Sequence, residues 1–383
     1  MLKKLVVVVV VLAMALSFMV ACQAKVEEPA AVEEPAAVEE PAAVEEAPAG
    51  GGLVGVLMPT KDLQRWNQDG DNMKTALEEK GYDVDLQYAS NDVATQVEQI
   101  ENMITKGVDV LVIASIDGSA LANVLAEAKE DDILVIAYDR LIMDTPNIDY
   151  YATFDNEMVG TIQGNYIVDT LGLADGETGP FTMEIFVGSP DDNNARLFNK
   201  GALDVLTPYM DSGVLVVKSG EGMTNEEWTS IGILGWKAED AQSRMENLLT
   251  TYYADENIDV VLSPNDSLAQ GIAAALDGAG YEAGSDTKPF PVLTGQDCDI
   301  NSMKNILAGK QSMSIFKDTR DLAARTVTMV DQYLAGETVE TNATYDNNVF
   351  EVPSYLCTPV FADLSNYEEL LIDSGYYAAE DLQ

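Results

Sequence analysis

The run Ile133-Leu134-Val135-Ile136-Ala137-Tyr138, followed at once by Asp139-Arg140, decides how the chain is read. An apolar segment this short and this rich in β-branched residues predicts a strand buried on both faces of a parallel sheet. It stops at a carboxylate and then a guanidinium. In open α/β sheets, ligands sit in the crevice beyond the carboxyl ends of the strands, so Asp139 and Arg140 are expected at a ligand. A carboxylate accepts on both oxygens, and a guanidinium offers its donors in a rigid fork. The pair suits a ligand carrying many hydroxyls. Taken alone, it reads equally well as a salt bridge at a strand end.

Working outward, strands at 53–58, 84–88 and 108–114 alternate with helices at 65–80, 93–106 and 119–130, with Gly81 and Gly107 placed to end the first two helices. This rhythm predicts a doubly wound parallel sheet. A shorter strand at 150–154 and a helix at 157–171 read as a first crossing to a second unit. The rhythm then restarts, with strands at 181–187, 214–218, 260–263, 291–294 and 312–316. Helices are expected at 195–209, 237–253, 267–280, 303–308 and 319–334. The tail from 344 follows no clear period. Two successive α/β units predict two lobes with a cleft between them.

The bulk numbers agree with such a chain. Its 383 residues fit two domains, and 47% hydrophobic content fills ordinary cores. The net charge of −44 argues against nucleic acid and against adsorption to an anionic bilayer. There is no histidine, which removes the commonest general base and metal ligand. The three cysteines, Cys22, Cys298 and Cys357, are too few and too spread for a disulfide framework or a zinc cluster. No metal or cofactor is expected, and spacing alone does not show whether Cys298 and Cys357 pair.

Residues 1–21 read as an export signal, with Lys3 and Lys4 ahead of a long apolar core. Val20-Ala21 directly before Cys22 resembles a bacterial lipoprotein cleavage site, with Cys22 as the lipidated residue. A plain signal peptide or an uncleaved anchor is the alternative. Residues 22–52 form a tether built on the repeat Val26-Glu27-Glu28-Pro29-Ala30-Ala31, which is too polar to offset its ordering entropy. The protein is expected outside the cytoplasm, held at the membrane only through a lipid.

Polar residues recur where strands end: Lys61 and Arg65 with Trp66, Asp139 with Arg140, Asn194 with Arg196, Asn265 with Asp266, Gln296 with Asp297, and Lys317. Trp236 stands just before a helix. Amides, acids and bases supply both donors and acceptors, and an indole face suits the C–H groups of a sugar ring. Phosphate-binding glycine motifs are missing after every strand. The loop Asp191-Asp192-Asn193-Asn194 lacks calcium-loop spacing and reads as polar. Paired carboxylates leave a glycosidase open on spacing alone. However, each acid has Arg, Asn or Gln beside it, which keeps it ionised and suits binding rather than proton donation.

At these residues the chain resembles the bacterial periplasmic sugar-binding proteins of type I fold, the solute receptors of ATP-driven importers, and within them the xylose-binding and multiple-monosaccharide-binding branch. The segments that carry the resemblance are Arg65-Trp66, Gln99-Ile100-Glu101-Asn102-Met103-Ile104 with Gly107, Ala137-Tyr138-Asp139-Arg140-Leu141, Phe154-Asp155-Asn156, Gly188 to Arg196, Asn265-Asp266 and Gly295-Gln296-Asp297. The resemblance spans about 53–340. It implies two doubly wound parallel-sheet lobes joined by a three-segment hinge: 53–156 plus 318–340 in the first, and 157–317 plus 341–383 in the second. It also implies sugar contacts from Arg65, Trp66, Asp139, Arg140, Asn194, Trp236, Asn265, Asp297 and Lys317. The function implied is not enzymatic: a monomeric, lipid-anchored receptor for a monosaccharide of the xylose, glucose, galactose or arabinose class, delivering it to an ABC permease. The alternative is a sensor that presents its closed form to a chemotaxis or signalling receptor. Two departures stand out: Cys298 directly after Asp297, and an insertion-like stretch at 221–234.

Overall fold

The computed structural model describes residues 51–383; the export signal, the Cys22 lipidation site and the tether up to residue 50 lie outside the described residues. In chain order the elements are β1 Leu53–Met58, α1 Gln64–Glu79, β2 Asp83–Tyr88, α2 Val93–Lys106, β3 Val110–Ile113, α3 Ala122–Glu130, β4 Leu134–Tyr138 and β5 Tyr150–Phe154. The second run is α4 Asn156–Thr170, β6 Phe181–Ile185, α5 Asn193–Asp211, β7 Leu215–Val217, α6 Ala238–Tyr252, β8 Val260–Leu262, α7 Asp266–Gly278, β9 Val292–Leu293, α8 Ile300–Leu307 and β10 Ser314–Phe316. The chain closes with α9 Thr319–Leu334, β11 Ala343–Asp346, β12 Glu351–Cys357 and β13 Val360–Ala362.

A 7-stranded sheet has the order β11-β12-β5-β4-β3-β1-β2, and a 4-stranded sheet has the order β7-β6-β8-β9. Every pairing is parallel except β11 with β12 and β10 with β13. The strand that opened the sequence reading, β4, lies inside the first sheet, paired with β3 and β5. Successive side chains point to opposite faces of a strand. Leu134, Ile136 and Tyr138 join Trp66, Met73 and Leu77 on one face, while Val135 and Ala137 join Ile100, Leu121 and Leu125 on the other. Both faces are dry, which is why the segment reads as continuous apolar sequence. The second sheet is buried in its own cluster, where Met183, Ile185, Val260 and Leu262 meet Phe198, Leu206, Leu249 and Ile272.

Helix starts are fixed by residues at the strand exits. Asp92, Asp155, Asp192, Asn265 and Asp318 each stand at an N-cap and accept a backbone N–H, satisfying donors that the first turn leaves open. Gly107 ends α2 in the left-handed conformation, with φ of 77°.

The chain crosses between the two sheets three times, at the β5–α4, β10–α9 and β12–β13 junctions. The N–H of Asp155 donates to the Cys357 carbonyl at 3.0 Å, tying the first crossing to the third. After the second crossing α9 returns, and its Leu322, Val327 and Val330 pack in the same cluster as α1.

The expectation that 341–383 belongs with the second lobe fails for 343–357. β12 pairs with β5, with Ser354 opposite Tyr151, and β11 adds an antiparallel edge. The third crossing is therefore at Thr358-Pro359 rather than near Glu340. β13 does join the second half, beside β10, and the residues after it pack Leu371, Tyr377 and Leu382 onto Met303 and Ile306 of α8. The stretch 221–234 holds a short 3-10 segment at Asn225–Ile231, and a bridge from Gly232 to Val187 draws it against the β6 exit. Cys298 and Cys357 are free thiols.

In the second half, α4 and α5 approach so closely that a Cβ at Gly160 would run into the Phe198 carbonyl, and one at Gly201 into the Glu157 carbonyl. Backbone cannot yield as a flexible side chain does. Gly160→Ala should therefore cost about 1–3 kcal/mol by overpacking, read as a lower urea midpoint with an unchanged m-value.

Candidate functional site

The carboxyl ends of the two sheets face one another across a small, largely polar-lined cavity. Its walls are Leu63, Arg65, Trp66, Asp139, Arg140, Asp192, Asn194, Phe198, Trp236, Asn265, Gln296, Asp297 and Lys317. The first sheet's half supplies Arg65 and Trp66 from the first turn of α1, and Asp139-Arg140 from the end of β4. The second half supplies Asp192 and Asn194 at the start of α5, Asn265 at the cap of α7, and Gln296-Asp297 after β9. Lys317 stands on the second crossing.

Arg65 is the hub. It lies close to three carboxylates: Asp69 one turn on at 2.8 Å, Asp139 at 2.8 Å and Asp297 at 3.5 Å. Burial alone would lower its pKa, but Asp139, Asp69 and Asp297 more than reverse this and hold it charged. Burial likewise pushes the Asp139 carboxyl up, yet Arg65, Lys317 and Arg140 outweigh it and keep the pKa below the ordinary value. Asp139 is thus a fixed acceptor. Its Oδ1 has no well-directed hydrogen bond despite the close guanidinium, so a ligand hydroxyl has somewhere to donate.

The backbone at Asp139 is unusual. Its φ is +60°, and the Arg140 N–H donates to the Tyr138 carbonyl at 2.6 Å, a γ-turn of the rare positive-φ kind. The Asp139 carbonyl accepts from Tyr151 Oη at 2.7 Å, Thr153 Oγ1 at 2.9 Å and Asn194 Nδ2 at 2.9 Å. Three donors on one oxygen hold a strained turn that aims the carboxylate into the cavity.

Arg140 bridges the halves. Its Nε lies 2.9 Å from Asp192 Oδ2, and its Nη1 donates to the Ser115 carbonyl at 3.1 Å. Burial, only partly offset by Arg140, raises the Asp192 pKa. The Trp66 ring is faced by both guanidiniums, Arg65 at 4.3 Å and Arg140 at 5.1 Å, so it backs the cations. Trp236 packs edge-on to Phe198 at 6.3 Å and lies so close over Gly188 that a Cβ there would overlap the indole. Both indole N–H groups are buried without a partner, as is Gln296 Oε1. Buried polar atoms are seldom left unpaired in native proteins, so these are groups awaiting a ligand.

Every residue named in the sequence reading as a sugar contact lines this cavity. One has a different local role: the Asn194 amide accepts from Asn156 at 2.9 Å while donating to the Asp139 carbonyl, so much of its capacity serves the crossing. Of the other strand-end polar residues, Lys61 lies over the Tyr88 ring, Arg196 bonds Asn193, and Asp266 accepts from Ser314 and Gln311 beneath Gly295; none is a wall of the cavity. Sequence reasoning missed Asp192, Phe198 and Leu63 as walls, and Asp69 behind Arg65. The i,i+4 spacing of Arg65 and Asp69 was a usable signal for the last. Among the described residues no group of three or more His, Cys, Asp or Glu is placed to hold a metal ion, and no helix is long and apolar enough to cross a membrane.

This fold, with a polar cavity at facing sheet ends, defines a binding protein of the two-lobed α/β class. Residues 54–338 match the periplasmic binding protein domain, and the chain belongs to that family, in its type I fold. It is 53% identical over 334 residues to the multiple sugar-binding periplasmic receptor ChvE of Rhizobium radiobacter, a match covering 87% of this chain and 92% of that one. It is 36% identical over 329 residues to the D-xylose-binding periplasmic protein of Escherichia coli strain K12, covering 86% of this chain and 92% of the other. A crystal structure of an ABC transporter solute binding protein from Clostridium phytofermentans, with bound β-D-glucose, superposes with a TM-score of 0.81 at 58% identity, covering 86% of this chain and 100% of that chain.

Just behind the cavity, burial and the neighbouring Asp297 push the Asp299 carboxyl up to about 7, against an opposing pull from Arg65. A raised acid pKa means the folded state holds a proton that the unfolded state releases, so stability falls as pH rises from the ordinary 3.8 to about 7. Asp299→Asn should remove that slope. In urea unfolding at pH 8 the variant should be more stable than the parent, with the gain gone by pH 4.

Proposed function

We propose that the protein binds a single monosaccharide of the xylose, glucose, galactose or arabinose class in the interlobe cavity and delivers it to an ABC importer. It is a sugar-binding periplasmic receptor, and its relatives are receptors rather than enzymes. The observation that carries the reading is the set of unspent polar groups in one small cavity, Gln296 Oε1 and the indole N–H groups of Trp66 and Trp236, beside the ionised Asp139 carboxylate. The wall carries both acceptors and donors, as ring hydroxyls require. Asp139 and Asp297 accept from them; Asn265, Lys317 and the two indoles donate to them. Trp236 and Phe198 offer flat apolar walls for the ring C–H groups. The smallness of the cavity, walled by side chains from both halves, favours one sugar unit over an oligosaccharide.

Binding here couples to closure. Arg140 with Asp192 and Arg65 with Asp297 join groups from opposite halves. A sugar that contacts both walls favours the closed arrangement, and the closed arrangement is the form a permease reads. The crossings at 155, 317 and 358 serve as the hinge. We further infer from Val20-Ala21-Cys22 that a lipid on Cys22 holds the receptor at the outer face of the membrane.

Two measurements test this. Saturating D-xylose, D-glucose, D-galactose or L-arabinose should raise the melting temperature, by about 4 kcal/mol of linkage at 1,000 times the dissociation constant. Asp139→Ala should erase the shift while leaving a cooperative transition. No response from the parent to any of the four would overturn the receptor reading. For the anchor, Cys22→Ala in cells should move the protein from the membrane pellet to the soluble extracytoplasmic fraction; persistence in the pellet would rule out attachment through that residue.

A further inference from the structure

Asp297 reaches the cavity from a stretch of backbone that ordinary residues avoid. Asp297 and Cys298 have consecutive positive φ values, 98° and 50°, and neither is glycine. Such conformations persist only where surroundings over-determine them. Three of the bonds that do so come from within the second half. The Asp297 N–H donates to the Ile315 carbonyl at 2.8 Å, the Cys298 N–H to Ser314 Oγ at 3.0 Å, and the Asp299 N–H to Asp266 Oδ2 at 2.9 Å.

Two more come from the C-terminal tail and from the first half. The Cys298 carbonyl accepts from Tyr377 Oη at 3.0 Å, and the Ile300 N–H donates to Gln64 Oε1 at 3.0 Å. Gln64 is the residue before Arg65, on the first turn of α1 in the first half. Its Nε2 donates to Tyr377 Oη at 2.7 Å, and Gln68 Nε2 donates to the same oxygen at 3.3 Å. The Tyr377 hydroxyl is then complete, with one donor used and two lone pairs filled. It sits between an α1 amide from one half and a strained carbonyl from the other.

Tyr377 is itself held in place. It stacks edge-on with Tyr376 at 4.8 Å, which stacks on Phe316 at 4.9 Å and shares a bond with Thr319 Oγ1 at 3.3 Å. Tyr377 also packs in the cluster with Cys298, Met303, Ile306 and Leu371. The tail thus rides on the second half and reaches the first through the hydroxyls of Tyr376 and Tyr377 and through Arg320 of α9, which lies over the Tyr376 ring at 5.0 Å.

We infer that Gln64 and Tyr377 are positioning residues that clasp the two lobes beside the cavity, fix Asp297 for the sugar, and slow its release. Neither residue lines the cavity. They act through the Asp297-Cys298 backbone and through α1, whose first turn also carries Arg65 and Trp66. Opening of the cleft would part the Gln64–Ile300 bond and strip Tyr377 Oη of either its amides or its carbonyl.

The inference rests on the receptor reading, and its test separates the two. Tyr377→Phe, Gln64→Ala and the double variant are compared with the parent for binding of D-glucose and D-xylose by calorimetry and stopped-flow tryptophan fluorescence, and for size by X-ray scattering with and without sugar. Each single variant should bind about tenfold more weakly, the worth of one or two buried hydrogen bonds. The loss should lie in faster release, the order of preference among sugars should be kept, and the double variant should fall short of the sum of the singles because the residues share one network. Tyr367→Phe, whose hydroxyl meets only the surface Glu368, should bind as the parent does. Release rates within twofold of the parent in both single variants would overturn the clasp. If the parent binds no sugar, the receptor reading fails instead, and scattering decides the clasp: a larger sugar-free double variant supports it, and an unchanged one overturns it.

Discussion

The structure depends on one buried cation. Arg65 has lost its water and must be paired, since an isolated charge in the interior is costly enough to be expelled or neutralised. Its acids come from three places in the chain: its own helix, the end of β4, and the loop after β9 in the other half. Placing α1 therefore constrains both sheets at once. The constraint spreads outward by hydrogen bonds. Tyr138 donates to Asp69 at 2.6 Å from the last position of β4. The next residue's carbonyl gathers Tyr151, Thr153 and Asn194, the last of these from the second half. The wall that a ligand meets and the joint that lets the halves move are parts of one polar network.

That network also decides where the molecule feels pH. Without histidine, no side chain has an ordinary pKa inside the physiological range. The site creates one by burial, helped by crowding. Asp266, Asp297 and Asp299 lie together, and Arg65 reaches them from one side only. Asp139, with Arg65, Lys317 and Arg140 around it, is held ionised instead. Buried carboxyls around one cavity are driven in opposite directions: burial raises them all, and only at the β4 exit is enough positive charge gathered to outweigh it.

Much of this was legible in the sequence, and the reasons are local. β1, α2, β5 and α9 run over the spans that their periodicity and caps imply, because Asp92, Gly107 and Asp318 mark their ends whatever lies around them. The binding residues could be read because an α/β sheet brings its strand exits to one edge. What could not be read depends on partners far away. Asp192 looked like one polar loop residue among four until Arg140 arrived from across the cleft. The tail gave no strand pattern, since β11 is half polar, as an edge strand often is, and β12 contains Pro353, which argues against the interior position it in fact holds between β11 and β5. Its place is set by β5, some two hundred residues earlier, and no window along the chain contains that fact.

The pairing of Tyr151 with Ser354 has a consequence for how the protein comes into being. A chain emerging from its N-terminus makes β1 to β5 early, yet β5 keeps an open, apolar border until almost the last segment is delivered. Exposed borders of this kind recruit foreign strands, and contacts of such long loop length close slowly. The interval between synthesis and completion is when this molecule is most exposed to misassociation, and a truncated product lacking β12 would remain in that condition permanently.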